Sequence, residues 1–112
     1  ICDLHEDYIR PQENGSHCDC DYVVTKSKDY GFAATGKNTF SFNASVYTQE
    51  ELTRKSHNYE LEPCGSSVLC LDYAQNGIGS NSCGPQLQEQ YKLKDEKFGF
   101  EISLIPFRAS CK

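Results

Sequence analysis

No tryptophan and no methionine occurs in this sequence of 112 residues, so 7 tyrosines and 6 phenylalanines supply much of its apolar bulk. A chain that opens Ile1-Cys2-Asp3 without methionine is expected to be processed, or cut from something longer. No apolar stretch approaches the roughly 18 residues a membrane span needs, which argues against a membrane-spanning helix. No signal-peptide pattern is present, although an excised piece would not show one. There is also no Lys/Arg cluster, and the net charge of −5 is spread along the chain, so a nucleic-acid partner is not expected. Acidity of this size mainly aids solubility.

What is present bounds a single domain over residues 1–112, with a modest core. A domain of this length buries roughly two-thirds of the surface its unfolded chain exposes. The 7 cysteines are an odd number, whereas a secreted disulfide framework usually has an even one. Cys70 lies within the apolar run Val68-Leu69-Cys70-Leu71, where a free thiol behaves as a small hydrophobe. Both features favour a reducing, cytoplasmic setting. The alternative is a secreted domain with up to three bridges, and the sequons at Asn14-Gly15-Ser16 and Asn43-Ala44-Ser45 are compatible with it.

The pattern along the chain is that of an all-β protein with one short helix. The first 17 residues read as polar and irregular, with turns at Pro11 and Asn14-Gly15. Asp21 to Thr25 reads as a short strand and Tyr30 to Ala34 as another, followed by a turn at Gly36-Lys37-Asn38. Thr39 to Val46 alternates cleanly, with Phe40, Phe42, Ala44 and Val46 on one face. Thr48 and Glu51 have capping-box spacing, with Tyr47 and Leu52 at the staple positions, which predicts a helix from Thr48 to about Ser56-His57. Ser67 to Tyr73 reads as a strand buried on both faces, and Leu87 to Leu93 as a weaker strand. The last predicted strand alternates Phe98, Phe100, Ile102 and Leu104 toward the core. About six strands and one helix suggest an antiparallel sandwich.

The search for chemistry yields no complete centre. Gly77-Ile78-Gly79 lacks the third glycine of a dinucleotide fingerprint, and no Gly-Lys-Ser/Thr follows it. Cys18-Asp19-Cys20 beside His17 lacks a second ligand pair at zinc spacing, so no metal site is expected. His17 and Cys18 are sequence neighbours, and on a strand they face opposite sides, which does not suit a nucleophile and its base. His57 ends the predicted helix, where a cation is favoured electrostatically. The carboxylates Glu50-Glu51, Glu60/Glu62 and Asp95-Glu96 read as capping or exposed groups rather than the two facing carboxyls of a glycosidase. No catalytic residue is assigned.

The order of motifs is more telling than any one of them. Tyr8-Ile9-Arg10-Pro11-Gln12-Glu13-Asn14-Gly15 comes first, then Phe40-Ser41-Phe42, Tyr47-Thr48-Gln49-Glu50-Glu51-Leu52 and His57-Asn58-Tyr59-Glu60-Leu61. Asp72-Tyr73-Ala74-Gln75-Asn76 follows, leading into Gly77-Ile78-Gly79-Ser80-Asn81-Ser82-Cys83-Gly84-Pro85, then Tyr91 and the closing Phe98-to-Leu104 segment. From about Tyr8 to about Phe107 the series resembles the C-terminal end of the large lac-type β-galactosidases of glycoside hydrolase family 2. The resemblance implies the last part of a galactose-mutarotase-like β-supersandwich. It implies that both catalytic glutamates, and the magnesium and sodium ligands, lie in other domains of the parent, so this chain itself holds no cofactor. The expected partners are the remainder of the β-galactosidase chain, a galactoside substrate and further copies of the parent in a homo-oligomer. By the same resemblance, the loop Gly79 to Pro85 reaches the active-site mouth, with Asn81, Ser82 and Cys83 nearest the substrate. Well-known members carry a tryptophan at the position of Cys83, and a thiol offers no comparable flat face for sugar stacking. The alternative function is an independent carbohydrate-binding or adhesion module. Such a module should present exposed aromatics, whereas the alternation here predicts that most point inward.

Overall fold

The computed structural model describes residues 1–76 and 86–109 of the chain. Within them the architecture is mainly antiparallel β with one short helix, as the patterning predicts. Four strands form one sheet: β1 (His17–Lys26), β2 (Tyr30–Ser45), β3 (Val68–Asp72) and β4 (Ile102–Arg108). The order is β1-β2-β3, with β4 also pairing β2. The helix α1 (Gln49–Arg54) separates β2 from β3, and short 3-10 turns occupy Cys2–Leu4, Asn58–Glu60 and Glu89–Tyr91.

The chain divides into two compact units, one of residues 1–18 with 42–71, the other of 19–41 with 72–112. In the first, Ala44, Leu52 and Asn43 are buried. Its polar opening segment is tied down by Asn14, whose Oδ1 accepts the Glu6 N–H at 2.8 Å while its Nδ2 donates to the carbonyls of Glu6 and Gln12. The Asn14 carbonyl in turn accepts from Nδ2 of Asn43. Gly15 has φ +72°, and a Cβ there would lie 2.1 Å from the Leu4 carbonyl oxygen, so the motif Pro11-Gln12-Glu13-Asn14-Gly15 needs its glycine twice over. The side-chain nitrogens of both sequon asparagines donate within this network.

Helix α1 begins where the sequence places it. The Glu51 N–H donates to Thr48 Oγ1 at 3.1 Å, with Leu52 buried beneath. Only half of the capping box forms. The Glu51 carboxylate accepts from the Glu62 N–H at 3.1 Å and pairs with Arg54 at 2.9 Å and Lys55 at 3.6 Å, instead of turning back to Thr48. Two cations and a backbone donor offer the carboxylate more than a single N–H does. The helix ends at Arg54, short of the predicted Ser56-His57, and Lys55 caps it in extended geometry.

In the second unit, Val23, Ala34 and Phe40 are buried, Ala34 and Phe40 almost completely. Here the structure corrects three expectations. First, Tyr30–Ser45 is one continuous strand, not two joined by a turn at Gly36-Lys37-Asn38. The chain creases there without reversing: a Cβ on Gly36 would lie 2.4 Å from the Asn38 carbonyl oxygen. Second, Glu89–Tyr91 is a 3-10 turn and no strand spans 87–93. Third, the last strand covers Ile102–Arg108 and leaves Phe98 and Phe100 outside it and exposed. Its register is set by antiparallel pairing of Tyr30–Gly36 with Ile102–Arg108, a long-range constraint that local alternation does not report. The expectation that most aromatics point inward also fails, since Tyr8, Tyr22, Tyr30, Tyr59, Tyr91, Phe98, Phe100 and Phe107 are all exposed, 8 of the 7 tyrosines and 6 phenylalanines together.

Candidate functional site

The loop carrying Asn81, Ser82 and Cys83 lies outside the described residues, but both of its feet are described. β3 leads into Tyr73–Asn76 on one side, and the 3-10 turn Glu89–Tyr91 stands on the other. The feet are locked together. Asn76 Oδ1 accepts the Leu93 N–H at 2.8 Å, a short amide side chain doing the work of a backbone turn. The Tyr73 hydroxyl donates to Asp95 Oδ2 at 3.4 Å. The Tyr73 ring stacks on Phe98 with centroids 4.6 Å apart, and meets Phe100 edge-on at 6.1 Å. Glu89 pairs with Lys92 and Lys94, and these two partners hold its carboxyl below the ordinary range.

Beside these feet, Lys37, Asn38, Thr39, Tyr73, Gly99, Phe100 and Glu101 line a cleft of about 360 Å³. That is near the lower end of the ~300–1,000 Å³ typical of small-molecule sites. One wall is fixed by a bond from the Lys37 N–H to the Glu101 carbonyl at 3.4 Å. The cleft offers two aromatic rings, one cation, one carboxylate and two neutral polar side chains. A single lining carboxylate is not the facing pair that glycoside hydrolysis requires. Sequence reasoning did not single out Tyr73, Asn76 or Asp95 as supports for the loop. The usable signal was Asn76-Gly77, an Asx residue at the start of a glycine-rich turn.

The other sequence candidates are scattered. Among the described residues, no three His, Cys, Asp or Glu side chains cluster as metal ligands would. His17 stacks on Phe42 at 4.9 Å, and its Nδ1 faces the Gly15 carbonyl at 2.9 Å. Asp19 sits at φ +54°, interrupting the regular extended geometry between Cys18 and Cys20. Cys70 is half-buried and accepts a bond from Gln49 Nε2 at 3.5 Å. The carboxylates are occupied with structure. The Glu51 carboxyl is lowered, chiefly by the Glu62 N–H and also by Lys55 and Arg54. The Glu60 carboxyl is lowered first by the His57 N–H and then by that of Ser56. A general acid needs its carboxyl shifted upward, so both move in the wrong direction for that role.

The described residues thus define an antiparallel β protein in which the residues flanking segment 77–85 are joined by Asn76–Leu93 and Tyr73–Asp95 bonds. Comparison with known proteins gives that class its family. Residues 1–104 match the family described as "Beta galactosidase small chain", and the chain belongs to it. It is 52% identical over 101 residues to the β-galactosidase of Actinobacillus pleuropneumoniae, covering 90% of this chain and 10% of that protein. It is 43% identical over 104 residues to the Staphylococcus xylosus β-galactosidase, covering 93% of this chain and again 10% of the relative. Identity to the Kluyveromyces lactis β-galactosidase is 33% over 97 residues. The chain therefore spans about a tenth of the length of these relatives.

Proposed function

We propose that this chain is an accessory domain of a β-galactosidase that hydrolyses terminal β-D-galactosides such as lactose, and that it shapes the aglycone side of the active site without supplying a catalytic glutamate. The reading is carried by one observation: nine-tenths of this chain aligns with about one-tenth of each β-galactosidase relative. In this reading the remainder of the polypeptide supplies the retaining glutamates and the magnesium and sodium sites, completes a supersandwich and forms the oligomer. Asn81, Ser82 and Cys83 lie nearest the substrate, on a loop whose feet are held by Asn76 and Tyr73. The fixed feet support it, because a wall that contacts sugar must keep its shape. The setting of the parent is cytoplasmic.

Two experiments test it. Deleting residues 1–112 from the full-length enzyme abolishes β-galactosidase activity, and retention of full activity by the truncated enzyme would overturn the reading. Cys83→Trp in the full-length enzyme restores a flat face worth about 1 kcal/mol, so affinity for aromatic or sugar acceptors rises a few-fold. Unchanged kinetics across several aglycones would leave the loop as scaffold.

A further inference from the structure

The cleft beside the feet of the loop lies where the sheet forks. β2 and β4 pair in register from Tyr30 with Arg108 to Gly36 with Ile102. The next residues in that register are Lys37, Asn38 and Thr39 on one chain and Glu101, Phe100 and Gly99 on the other, and all of them line the cleft. Past the bond from the Lys37 N–H to the Glu101 carbonyl, β4 has ended while β2 runs on to Ser45. Gly99 has no side chain to close the gap, and a Cβ there would meet nothing within 4 Å. Tyr73 also lines the cleft, its ring fixed by stacking on Phe98 and by its hydroxyl bond to Asp95. That fixed ring meets Phe100 edge-on at 6.1 Å, and Phe100 is still 41% exposed. Phe100 is therefore a ring held from the side with surface left for a ligand.

The polar groups around it are an amide at Asn38, a hydroxyl at Thr39, one ammonium at Lys37 and one carboxylate at Glu101. One charge of each sign leaves the lining neutral. An anion site gathers several cations or N–H groups, which this cleft lacks among its side chains. A metal site gathers carboxylates, thiolates or imidazoles, and no group of three such side chains occurs among the described residues. A neutral polyol with an apolar C–H face suits the whole set. Its hydroxyls both donate and accept, and its C–H face covers an aromatic ring. We propose that this cleft binds a neutral saccharide, with one sugar ring against Phe100 and its hydroxyls on Asn38, Thr39 and Glu101. The proposal goes beyond the accessory-domain reading and does not depend on it. A sugar ring has few atoms, so one open cleft holds it at a Kd on the order of 1 mM. Such affinity suits local retention of sugar on an enzyme rather than stable attachment to a glycan surface.

The test uses the full-length enzyme, its galactose pocket filled by a stoichiometric galactose-type iminosugar, with D-glucose, D-galactose and maltose as probes. A saturating concentration of at least one probe slows amide hydrogen exchange in peptides spanning 37–39 and 99–101 by about threefold or more. In titrations followed by saturation-transfer NMR, Phe100→Ala and Asn38→Ala each weaken binding about threefold or more, whereas Phe100→Tyr keeps the ring and stays within about twofold. No exchange protection by any probe up to about 100 mM, a hundred times the expected Kd, overturns the proposal. Binding that either alanine variant leaves unchanged overturns it as well. If an alanine variant does not fold, exchange in the unsubstituted enzyme decides by itself. Activity lost on deleting residues 1–112, together with no protection here, would sink this proposal and leave the accessory-domain reading intact.

Discussion

The side-chain amide of Asn43 donates to the backbone carbonyl of Asn14, 29 residues away in sequence, while the Asn14 side chain holds Glu6 by both its N–H and its carbonyl. One buried asparagine on β2 thereby fixes the turn on which the opening segment depends. Asn43→Ala leaves a part-buried carbonyl without its donor and costs about 1 kcal/mol, read as a drop in the urea midpoint of unfolding. A midpoint equal to the wild type would show that water replaces the bond at no cost.

Two glycines separate two kinds of crowding. At Gly15 a Cβ would meet the Leu4 carbonyl oxygen at 2.1 Å, and φ is +72°. At Gly31 a Cβ would meet the end of the Phe107 ring, also at 2.1 Å, but that ring is partly exposed and able to swing aside. Gly15→Ala therefore costs more than Gly31→Ala, the latter about 1 kcal/mol. Chemical denaturation of the two variants checks the ranking, and the reverse order would contradict it.

Thr48→Ala removes the one side-chain cap that α1 has at its start, and lowers stability by about 1 kcal/mol. The conservative Thr48→Ser restores most of it. Identical unfolding curves for Thr48→Ala and the wild type would show that the helix is held by Leu52 alone.

The Glu51 carboxyl is lowered from its ordinary value of 4.5 by the Glu62 N–H, with Lys55 and Arg54 adding to the shift. A carboxyl depressed on folding contributes stability that is fully present above the unfolded value and lost as pH falls through the folded one. Stability therefore falls as pH drops below about 4.5, and Glu51→Gln flattens that part of the profile. Parallel profiles for the two proteins between pH 3 and 5 would remove Glu51 from the account.

The chain alone is expected not to hydrolyse a chromogenic β-galactoside, because Glu51, Glu60 and Glu89 serve as acceptors for backbone N–H groups and cations and the cleft is lined by Glu101 without a facing partner among the described residues. Turnover that survives purification to constant specific activity would refute this. Glycan binding by the chain alone would instead favour an independent binding module.

Much of the local structure was legible from residues close together in sequence. Thr48 and Glu51 marked the start of α1, Val68 to Leu71 marked β3, and Asn14-Gly15 marked a turn, since a cap, an apolar run and a positive φ each involve a few neighbouring residues. The destination of the Glu51 carboxylate was not legible, because its backbone donor comes from Glu62, beyond the helix. The supports of the candidate loop were equally hidden, since Leu93 and Asp95 meet Asn76 and Tyr73 only after folding.

The sequence by itself determined the class of the protein, the order of its motifs and its kinship with the β-galactosidases, all of which are properties of composition and order. Tertiary structure alone decided that β2 runs unbroken past Gly36, and that the last strand starts at Ile102 rather than near Phe98. Strand register is a contest between local alternation and hydrogen bonding to a distant partner, and here Tyr30–Gly36 won it for residues 102–108. The alternating Phe98 and Phe100 gather instead around Tyr73, because ring contacts there bury part of their surface without a strand to carry them.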